Sequence, residues 1–429
     1  NRAPLEKTEY QVRTLRAAVK QDPQTNLAVI SVAGRYAAAE AWEALRLGLH
    51  VLLFSDNVPL EDEIALKRYA TQNNLLLMGP GAGTAILNGV ALGFANQIPR
   101  GPVGIISAAG TGLQEVSCLL ARTGTGISQG IGTGGRDVRE EVGGMMMLAA
   151  MQALQADPDT HVLLLVSKPP HASVVKKVLK QASASEKPTV ICLLGGEQGS
   201  SQLPSNVIPA STLQEGAHLA AIAAGAALPT LEVMYRLEEI RQAPLVASLR
   251  KSLTGQQRFL RGLFSGGTLC YEAQLIWKEL LKEPVLSNAP LDPAQKMPDS
   301  NHSQGHCAID LGEEEFTVGR PHPMIDNDLR IRRLQQETRQ LDVAVIVLDV
   351  VLGYGAHPDP ASELAPAIRK ARQEASLSGS EPVFVASITG VEGDPQDIHR
   401  QRKTLEDAGV VICDSNASAA RLSARLLHT

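Results

Sequence analysis

Two short turns with nearly the same residues are candidates for holding an anion. Each follows an apolar run, opens a helical pattern and has a glutamate four residues after its threonine, Glu115 in one case and Glu272 in the other. Small residues let backbone amides approach an oxyanion, and a helix N-terminus carries about half a positive charge. The alternative is a tight turn that needs glycine for packing alone. The candidate phosphate- or carboxylate-binding residues are Ser107, Gly110 and Thr111 in the first turn and Ser265, Gly266, Gly267 and Thr268 in the second.

A glycine-rich run between these turns ends in a basic residue. The run covers Gly130–Arg136 and is followed by Asp137. Backbone amides of such a run can surround a phosphate or carboxylate, and an arginine can add a bidentate contact. The alternative is a flexible connector in which Arg136 and Asp137 form a solvated pair. We expect Arg136 to have a catalytic role, with binding by Gly132, Thr133, Gly134 and Gly135.

Two histidines in loops are candidate catalytic contacts. His322 lies between two prolines in a segment that begins with Arg320, itself a candidate anion contact. Such a rigid segment suits an acid, a base or an anion contact, although a loop histidine is more often simply exposed. His357 follows the apolar run that ends at Asp349, which places it at the carboxyl edge of a parallel sheet. No residues have the spacing of metal ligands, so we expect no metal site.

Composition excludes several classes of protein. The chain has 429 residues, a net charge of −5 and few aromatic residues, which argues against a sequence-independent nucleic-acid binder. Five widely spaced cysteines form neither a disulfide framework nor a zinc site, and they favour a reducing compartment. No apolar run approaches the roughly 20 residues of a membrane helix. We expect a cytoplasmic protein without nucleic-acid or membrane partners, and the start at Asn1 is compatible with a piece of a longer protein.

Apolar runs alternate with helical stretches, which is typical of parallel α/β sheets. The predicted strands are Leu27–Val32, Val51–Phe54, Leu75–Met78, Val103–Ser107, Val162–Val166, Thr189–Leu194, Val343–Asp349, Val383–Ser387 and Val410–Cys413. The predicted helices are Ala37–Leu47, Leu60–Gln72, Gly112–Arg122, Gly143–Gln155, Ala172–Ala182, Ala217–Ala227 and Thr230–Leu253. Between them, Leu280–His306 is rich in Pro, Asn, Asp and Ser and is predicted to be a surface loop.

An internal repeat is the most informative pattern in the sequence. Four elements of the first half recur in the second half in the same order, with stretched spacing. The pairs are Ser107–Glu115 with Ser265–Glu272, Gly132–Asp137 with Gly319–Asp326, His161–Val166 with Val343–Leu348, and Lys187–Gly195 with Glu381–Gly390. The sequence therefore predicts two related parallel-sheet modules.

These motifs resemble the ligase modules of the succinyl-CoA synthetase superfamily, and most closely its FdrA group. The two Gly-Thr turns are similar to that family's Ser-Gly-Thr-x-x-x-Glu turn, and Gly130–Asp137 is similar to its glycine loop. The resemblance implies an α/β fold with tandem flavodoxin-like parallel-sheet ligase modules, preceded by part of a Rossmann-like CoA-binding domain. The expected domains are residues 1–99 (Rossmann-like, incomplete), 100–228 (first module), 229–258 (helical linker) and 259–429 (second module).

The resemblance to the FdrA group also implies a function. It implies a transferase, a carbamoyltransferase subunit that converts oxalurate and phosphate into oxamate and carbamoyl phosphate in allantoin and purine catabolism. One alternative is an acyl-CoA synthetase subunit that uses CoA and ATP, and another is a non-catalytic scaffold subunit. The family's Gly-His-Ala-Gly-Ala phosphohistidine motif has only a weak counterpart at His218, and no nucleotide-binding domain is visible.

The expected ligands and partners follow from these readings. Phosphate is expected as substrate or product, no cofactor is expected with certainty, and CoA enters only under the acyl-CoA synthetase alternative. The expected partners are a small anionic substrate, other subunits of the same complex and further copies of the chain.

Overall fold

The computed structural model describes residues 12–196 and 203–427. Its strands are β1 Leu27–Ile30, β2 His50–Leu53, β3 Leu77–Met78, β4 Thr84–Leu87, β5 Val90–Gly93, β6 Arg100–Ser107, β7 Ile127–Gly132, β8 Val162–Ser167, β9 Thr189–Leu193, β10 Val207–Pro209, β11 Phe259–Phe264, β12 Val285–Ser287, β13 His306–Asp310, β14 Val343–Val351, β15 Val383–Thr389 and β16 Val410–Cys413. They form three separate sheets.

Helices flank these sheets. They are α1 Leu15–Gln21, α2 Gly34–Arg46, α3 Leu60–Gln72, α4 Gly110–Arg122, α5 Met145–Ala156, α6 Ala172–Ser183, α7 Leu213–Ala223, α8 Leu231–Arg250, α9 Gly267–Leu280, α10 Glu314–Thr317, α11 Asp328–Thr338, α12 Pro360–Leu377, α13 Ile398–Glu406 and α14 Asn416–Leu427. None of the helices in the described residues is long and apolar enough to cross a membrane.

The first sheet contains the three parallel strands β1, β2 and β3, in that order. Helices α2 and α3 supply alanine and leucine side chains to its small core, including Ala37, Ala41, Leu45 and Leu66. This part corresponds to the predicted incomplete Rossmann-like domain.

The second sheet contains the first ligase-type module. Its strand order is β10-β9-β8-β6-β7-β4-β5, and strands β6 to β10 are parallel. Renumbered within the module, these five strands have the flavodoxin-like order 2-1-3-4-5. Every residue of β8 is buried, as expected for a strand with helices on both faces. The antiparallel hairpin β4–β5 extends this sheet beyond β7, although it lies within the range predicted for the N-terminal domain.

The third sheet repeats this arrangement. Its order is β12-β13-β11-β14-β15-β16 and all its pairings are parallel. Without the edge strand β12, the order is again flavodoxin-like, so the prediction of tandem modules is confirmed. The prediction that Leu280–His306 is a plain surface loop is wrong. It contains β12, and Val285 and Met297 are buried in the module.

A reciprocal pair of glutamates holds the two modules together. Glu115 on α4 accepts a hydrogen bond from the backbone N–H of Asn416, the first residue of α14 in the second module, at 3.1 Å. Glu272 on α9 accepts one from the backbone N–H of Leu213, the first residue of α7 in the first module, at 2.6 Å. Each carboxylate thus satisfies an N-terminal amide of a helix in the other module.

Arg122, the last residue of α4, adds a further connection between the modules. Its guanidinium donates to the backbone carbonyls of Ile388 (2.6 Å), Gly390 (3.0 Å) and Asp414 (2.6 Å) of the second module. Carbonyl groups at the ends of strands lack a donor from a neighbouring strand. The charge-assisted bonds from Arg122 therefore replace the water that these carbonyl groups lose on burial. The two modules therefore pack as one unit.

Candidate functional site

The carboxyl edges of the two module sheets face each other across a cavity of about 280 Å³. Loops after β3, β6, β7 and β8 form one side, and loops after β11 and β13 form the other. This is the edge at which parallel α/β sheets bind ligands. The side chains and backbone that line it belong to Gly81, Ala82, Gly83, Thr84, Ser107, Ala108, Ala109, Gly110, Thr111, Gly132, Gly134, Gly135, Val138, Lys168, Gly267, Thr268, Asp310, Gly312, Glu313 and His322.

The two Gly-Thr turns meet at this cavity. The backbone N–H of Thr268 points to Oγ1 of Thr111 at 3.4 Å, so the N-termini of α4 and α9 are in direct contact. A Cβ atom at Gly266 would lie only 3.0 Å from the Thr111 side chain, which explains why glycine is needed there. Two helix dipoles thus direct their positive ends to one small volume, which favours an anion.

The first turn presents free amides to the cavity. The backbone N–H of Ala108 donates to the carbonyl of Val166 at 3.0 Å, and that of Ala109 donates to Oγ of Ser107 at 3.0 Å. The next three amides, at residues 110 to 112, have no acceptor within the described parts of the chain. They are the unsatisfied donors of the α4 N-terminus, and an oxyanion is the ligand they fit.

A buried carboxylate of the chain itself binds the first amides of the second turn. Asp349, in the buried strand β14, accepts bonds from the backbone N–H groups of Ser265 and Gly266, both at 2.7 Å, and from the Ser265 hydroxyl at 3.0 Å. Its carboxylate also accepts a bond from buried Arg330 at 3.1 Å. Ser265 and Gly266, both predicted to bind substrate, therefore bind Asp349 and do not line the cavity. Gly267 and Thr268 do line it.

Lys168 supplies the positive side chain of the cavity. It follows β8, and its ammonium group lies over the ring of Tyr271, 5.6 Å from the ring centroid. No carboxylate of the described residues lies within ion-pair distance of this ammonium, so its charge is available to a ligand. Lys168 was not predicted as a site residue, because a lysine before two prolines is a common surface pattern.

His322 lies at the opposite wall of the cavity. Its Nδ1 accepts a bond from the backbone N–H of Met324 at 3.2 Å, which leaves Nε2 on the side of Gly312 and the cavity. Burial lowers the pKa of His322, so the neutral ring with a hydrogen on Nε2 is favoured at pH 7. His322 can therefore donate a hydrogen bond to a ligand without adding charge.

Asp310 is the second side chain that sequence reasoning missed. It ends β13, is 3% exposed and lines the cavity beside Gly267. Burial raises the pKa of Asp310 to about 7, with the nearby Lys168 ammonium acting in the opposite direction. An aspartate at the end of an apolar run looks in sequence like an ordinary strand terminus, so nothing there distinguished it.

The structure places Arg136 away from the cavity, contrary to the predicted clamp. Its Nε lies 2.7 Å from Glu63 of α3, and Nη2 donates to the Val58 carbonyl at 2.8 Å. Asp137 is fully buried and pairs with Lys67 at 2.9 Å, so the alternative of a solvated pair does not hold either. These residues join the first sheet to the first module.

The glycine run also has a partly structural explanation. Gly130 and Gly132 belong to β7, and a Cβ atom at Gly132 would lie 2.3 Å from the Thr84 carbonyl of the hairpin. Gly132, Gly134 and Gly135 still line the cavity, whereas Thr133 is buried behind it.

Three other histidine and arginine candidates lie elsewhere. Arg320 is exposed to solvent, outside the cavity lining. His357 pairs with Glu363 at 3.3 Å and is not part of the lining. His218 lies in a larger groove between α4, α7 and the loop after β15, where its Nε2 is 2.7 Å from the Pro229 carbonyl. That groove of about 960 Å³ contains neither of the Gly-Thr turns, so the smaller cavity, where both meet, is the better candidate.

Within the described residues, no three His, Cys, Asp or Glu side chains are grouped as metal ligands would be. The five cysteines are buried free thiols, and burial raises the pKa of Cys118, Cys192 and Cys270 well above the usual range. Thiols of this kind are poor nucleophiles.

Comparison with known proteins gives three findings. The family model described as CoA-ligase matches residues 263–426, which is the second module. The uncharacterized protein YahF of Escherichia coli (strain K12) is 43% identical over 416 residues, covering 97% of this chain and 79% of YahF. The alpha subunit of the ADP-forming succinate–CoA ligase of Aquifex aeolicus (strain VF5) is 29% identical over 161 residues, covering 36% of this chain and about half (51%) of that subunit.

Among solved structures, the dinucleotide-forming acetyl-coenzyme A synthetase 1 of Ca. Korarchaeum cryptofilum, in complex with phosphate and ADP, matches with a TM-score of 0.34 and 15% identity. The match covers 94% of this chain and 82% of that chain. So loose a superposition carries no argument about the site.

These findings correct the predicted enzyme class. The matching family model describes CoA-ligases, and the succinate–CoA ligase relative is named as a ligase. The prediction of a transferase, and of a carbamoyltransferase in particular, is therefore wrong. The superfamily to which the sequence motifs were compared is supported, as is a CoA-ligase-like character for the chain.

Proposed function

This chain belongs to the same family as YahF, and from its CoA-ligase domain we propose that it is a subunit of an acyl-CoA synthetase of the CoA-ligase type. In this proposal the cavity between the modules binds the phosphate or carboxylate group that the reaction exchanges. The observation that carries the proposal is the meeting of the α4 and α9 N-termini at one cavity.

The chemistry of an ADP-forming CoA ligase requires such a site. The reaction consumes a carboxylate and releases phosphate, and both groups present oxygen atoms with a negative charge. The free amides at residues 110 to 112 and the Lys168 ammonium would donate hydrogen bonds to either group, and the Nε2–H of His322 would add a third kind of donor. Donors that are fixed before the reaction stabilise negative charge without reorganisation.

The remaining parts of the reaction are assigned to other components. The proposal places nucleotide binding on a partner subunit, as is compatible with the relative named as the alpha subunit of a succinate–CoA ligase. CoA is proposed as a substrate of the assembled enzyme. A cytoplasmic location, predicted from the free cysteines, is part of the same proposal.

The first test measures phosphate binding by the full chain. Replacing Lys168 with alanine removes the positive side chain from the cavity, and a charge-assisted contact of about 1.5–3 kcal/mol corresponds to a tenfold to hundredfold loss of affinity. The matched control is Lys176→Ala, an exposed lysine on α6 outside the cavity. Isothermal titration with inorganic phosphate reads both variants. Equal affinity in wild type and Lys168→Ala would contradict the site assignment.

The second test measures the reaction in reverse. The chain, combined with a nucleotide-binding partner subunit, is expected to form ATP, the free acid and CoA from ADP, phosphate and an acyl-CoA. Lys168→Ala should slow this formation at subsaturating phosphate, and Lys176→Ala should not. If the complex assembles but forms no ATP with any of a panel of short acyl-CoAs, the ligase proposal fails, even where phosphate binding persists.

A further inference from the structure

One side of the anion cavity carries a carboxylate oxygen that receives no hydrogen bond from the described residues. Oδ1 of Asp310 accepts the backbone N–H of Gly312 at 2.9 Å, whereas Oδ2 receives no hydrogen bond from the described residues. Oδ2 lies against the start of α9, only 2.4 Å from the position that a Cβ atom at Gly267 would take. The carboxyl group is 3% exposed and lines the cavity, so the atom in reach of Oδ2 would be one of the ligand.

The charged groups around Asp310 do not already satisfy it. Lys168, after β8, attracts its charge but forms no ion pair with it, and Glu313, on the same loop, repels it. From β14, Asp349 also repels it, although that carboxylate is bonded to Arg330 and to the second Gly-Thr turn. His322 adds no charge, because burial lowers its pKa.

A carboxylate beside an anion site selects among anions. The negative charges repel each other unless the ligand places a hydrogen between them, and such a hydrogen turns the repulsion into a charge-assisted hydrogen bond. Hydrogen phosphate can donate its P–OH hydrogen to Oδ2 of Asp310 while its other oxygens accept from the amides at residues 110 to 112. Sulfate has the same shape and double charge but no hydrogen to donate.

We propose that Asp310 makes this cavity selective for oxyanions that carry a hydrogen, such as hydrogen phosphate, over oxyanions without one, such as sulfate. The inference rests on the anion-binding function proposed above and names the ligand class that the site accepts. Sites built to pair with a ligand hydroxyl reject analogues without it by large factors. In an exchange of phosphate, this selectivity would keep inorganic sulfate from occupying the site.

The selectivity depends on pH in a defined direction. With a pKa of about 7, Asp310 is largely protonated at pH 6 and can then donate to sulfate. At pH 8 it is largely ionised and repels sulfate, whereas phosphate still carries a hydrogen. The preference for phosphate over sulfate therefore rises with pH, and bound sulfate at pH 8 must bring about one proton with it.

The test is calorimetric titration of the full chain with inorganic phosphate and with sulfate at pH 6 and pH 8. We expect phosphate to bind at least about a hundredfold more tightly than sulfate at pH 8, and the ratio to fall about tenfold at pH 6. In Asp310→Asn the amide donates to either anion, so the ratio should drop below about tenfold and lose its pH dependence. Glu314→Gln, an exposed change on α10, is the matched control and should behave as wild type.

A second measurement on the wild type guards against a variant that does not fold. Sulfate binding at pH 8, repeated in two buffers of different ionisation enthalpy, should show uptake of about one proton, and phosphate binding should show almost none. Equal affinities for the two anions at pH 8, or sulfate binding without proton uptake, would overturn the selectivity and leave the anion site intact. If neither anion binds at either pH, the proposed function and this inference fall together.

Discussion

The two Gly-Thr turns have similar sequences and sit at the same place in their modules, yet different groups hold them in position. The first turn presents backbone amides that no group of the described chain accepts. The amides just before the free ones are satisfied differently in the two copies: those of Ala108 and Ala109 by the Val166 carbonyl and the Ser107 hydroxyl, and those of Ser265 and Gly266 by Asp349. Neutral groups thus hold the first turn in place, and a buried carboxylate holds the second.

This difference explains how a duplicated scaffold can produce one asymmetric site. The first module contributes the free amides at residues 110 to 112 and Lys168, whereas the second contributes the acceptor Asp310 in addition to the α9 N-terminus and His322. A ligand in the cavity must accept hydrogen bonds from the amides and is favoured if it can also donate one to Asp310. The repeat therefore supplies the architecture, and three charged side chains, Lys168, Asp310 and Asp349, determine what each copy does.

The largest expected effect comes from removing the Asp349 carboxylate that holds the second turn. Asp349→Ala leaves the buried Arg330 without its carboxylate and frees the Ser265 and Gly266 amides, so we expect the free energy of unfolding to fall by about 3–5 kcal/mol. The counterpart in the first turn is Ser107→Ala, which removes one local cap and should cost only about 1 kcal/mol. Urea unfolding of both variants gives the two values. Losses within 1 kcal/mol of each other would contradict the contrast between the turns.

The next effect concerns the reciprocal glutamates. Burial raises the pKa of Glu272 to about 7, above its value of about 4.3 in an unfolded chain. The folded state then holds the proton more tightly, so stability is greatest below pH 4.3 and falls as pH rises towards 7, by up to about 1.4 kcal/mol per pH unit. Glu272→Gln should remove this slope.

The measurement is the free energy of unfolding at intervals from pH 5 to pH 8. Asp310 titrates in the same range, so the comparison is made in the Asp310→Asn background, with and without Glu272→Gln. An unchanged slope in the double variant would show that the buried Glu272 is not the group that titrates.

The smallest effect compares one glycine from each turn. A Cβ atom at Gly267 would lie 2.4 Å from Oδ2 of Asp310, whereas one at Gly110 would have its nearest neighbour, Oγ1 of Thr84, at 3.6 Å. Gly267→Ala should therefore cost about 1–3 kcal/mol by overpacking, and Gly110→Ala less than about 1 kcal/mol. Thermal unfolding of both variants tests this order, and the reverse order would refute it.

Much of the fold could be predicted from the sequence because buried parallel strands are continuous apolar runs. Strand β16 was predicted with its observed bounds, and the runs of β8 and β14 were predicted to within two residues. The hairpin β4–β5 was not predicted, since its strands are short and partly exposed. Strand β7 was not predicted, because the glycines at its end were interpreted as the start of an anion-binding run, whereas Gly132 is needed for close contact with the hairpin.

Only some residues of the candidate site could be predicted from the sequence. The Gly-Thr turns and His322 were found because glycine, proline and helix starts leave a local pattern. The positions of Lys168 and Asp310 at one cavity depend on which loops meet across the two modules, and no local pattern records that. Arg136 was assigned to the anion for the same reason, since its partner Glu63 is 73 positions away in the chain and joins it only through the fold.

The reciprocal bonds of Glu115 and Glu272 bear on whether the coding sequence could tolerate fission. If the chain were cut in the exposed loop at Gly255 and the halves separated, each half would lose the carboxylate that satisfies the first amide of one of its helices. Each lost helix cap costs about 0.5–2 kcal/mol. The two halves would then have to be produced together and assemble with each other, because neither half would be a complete folding unit.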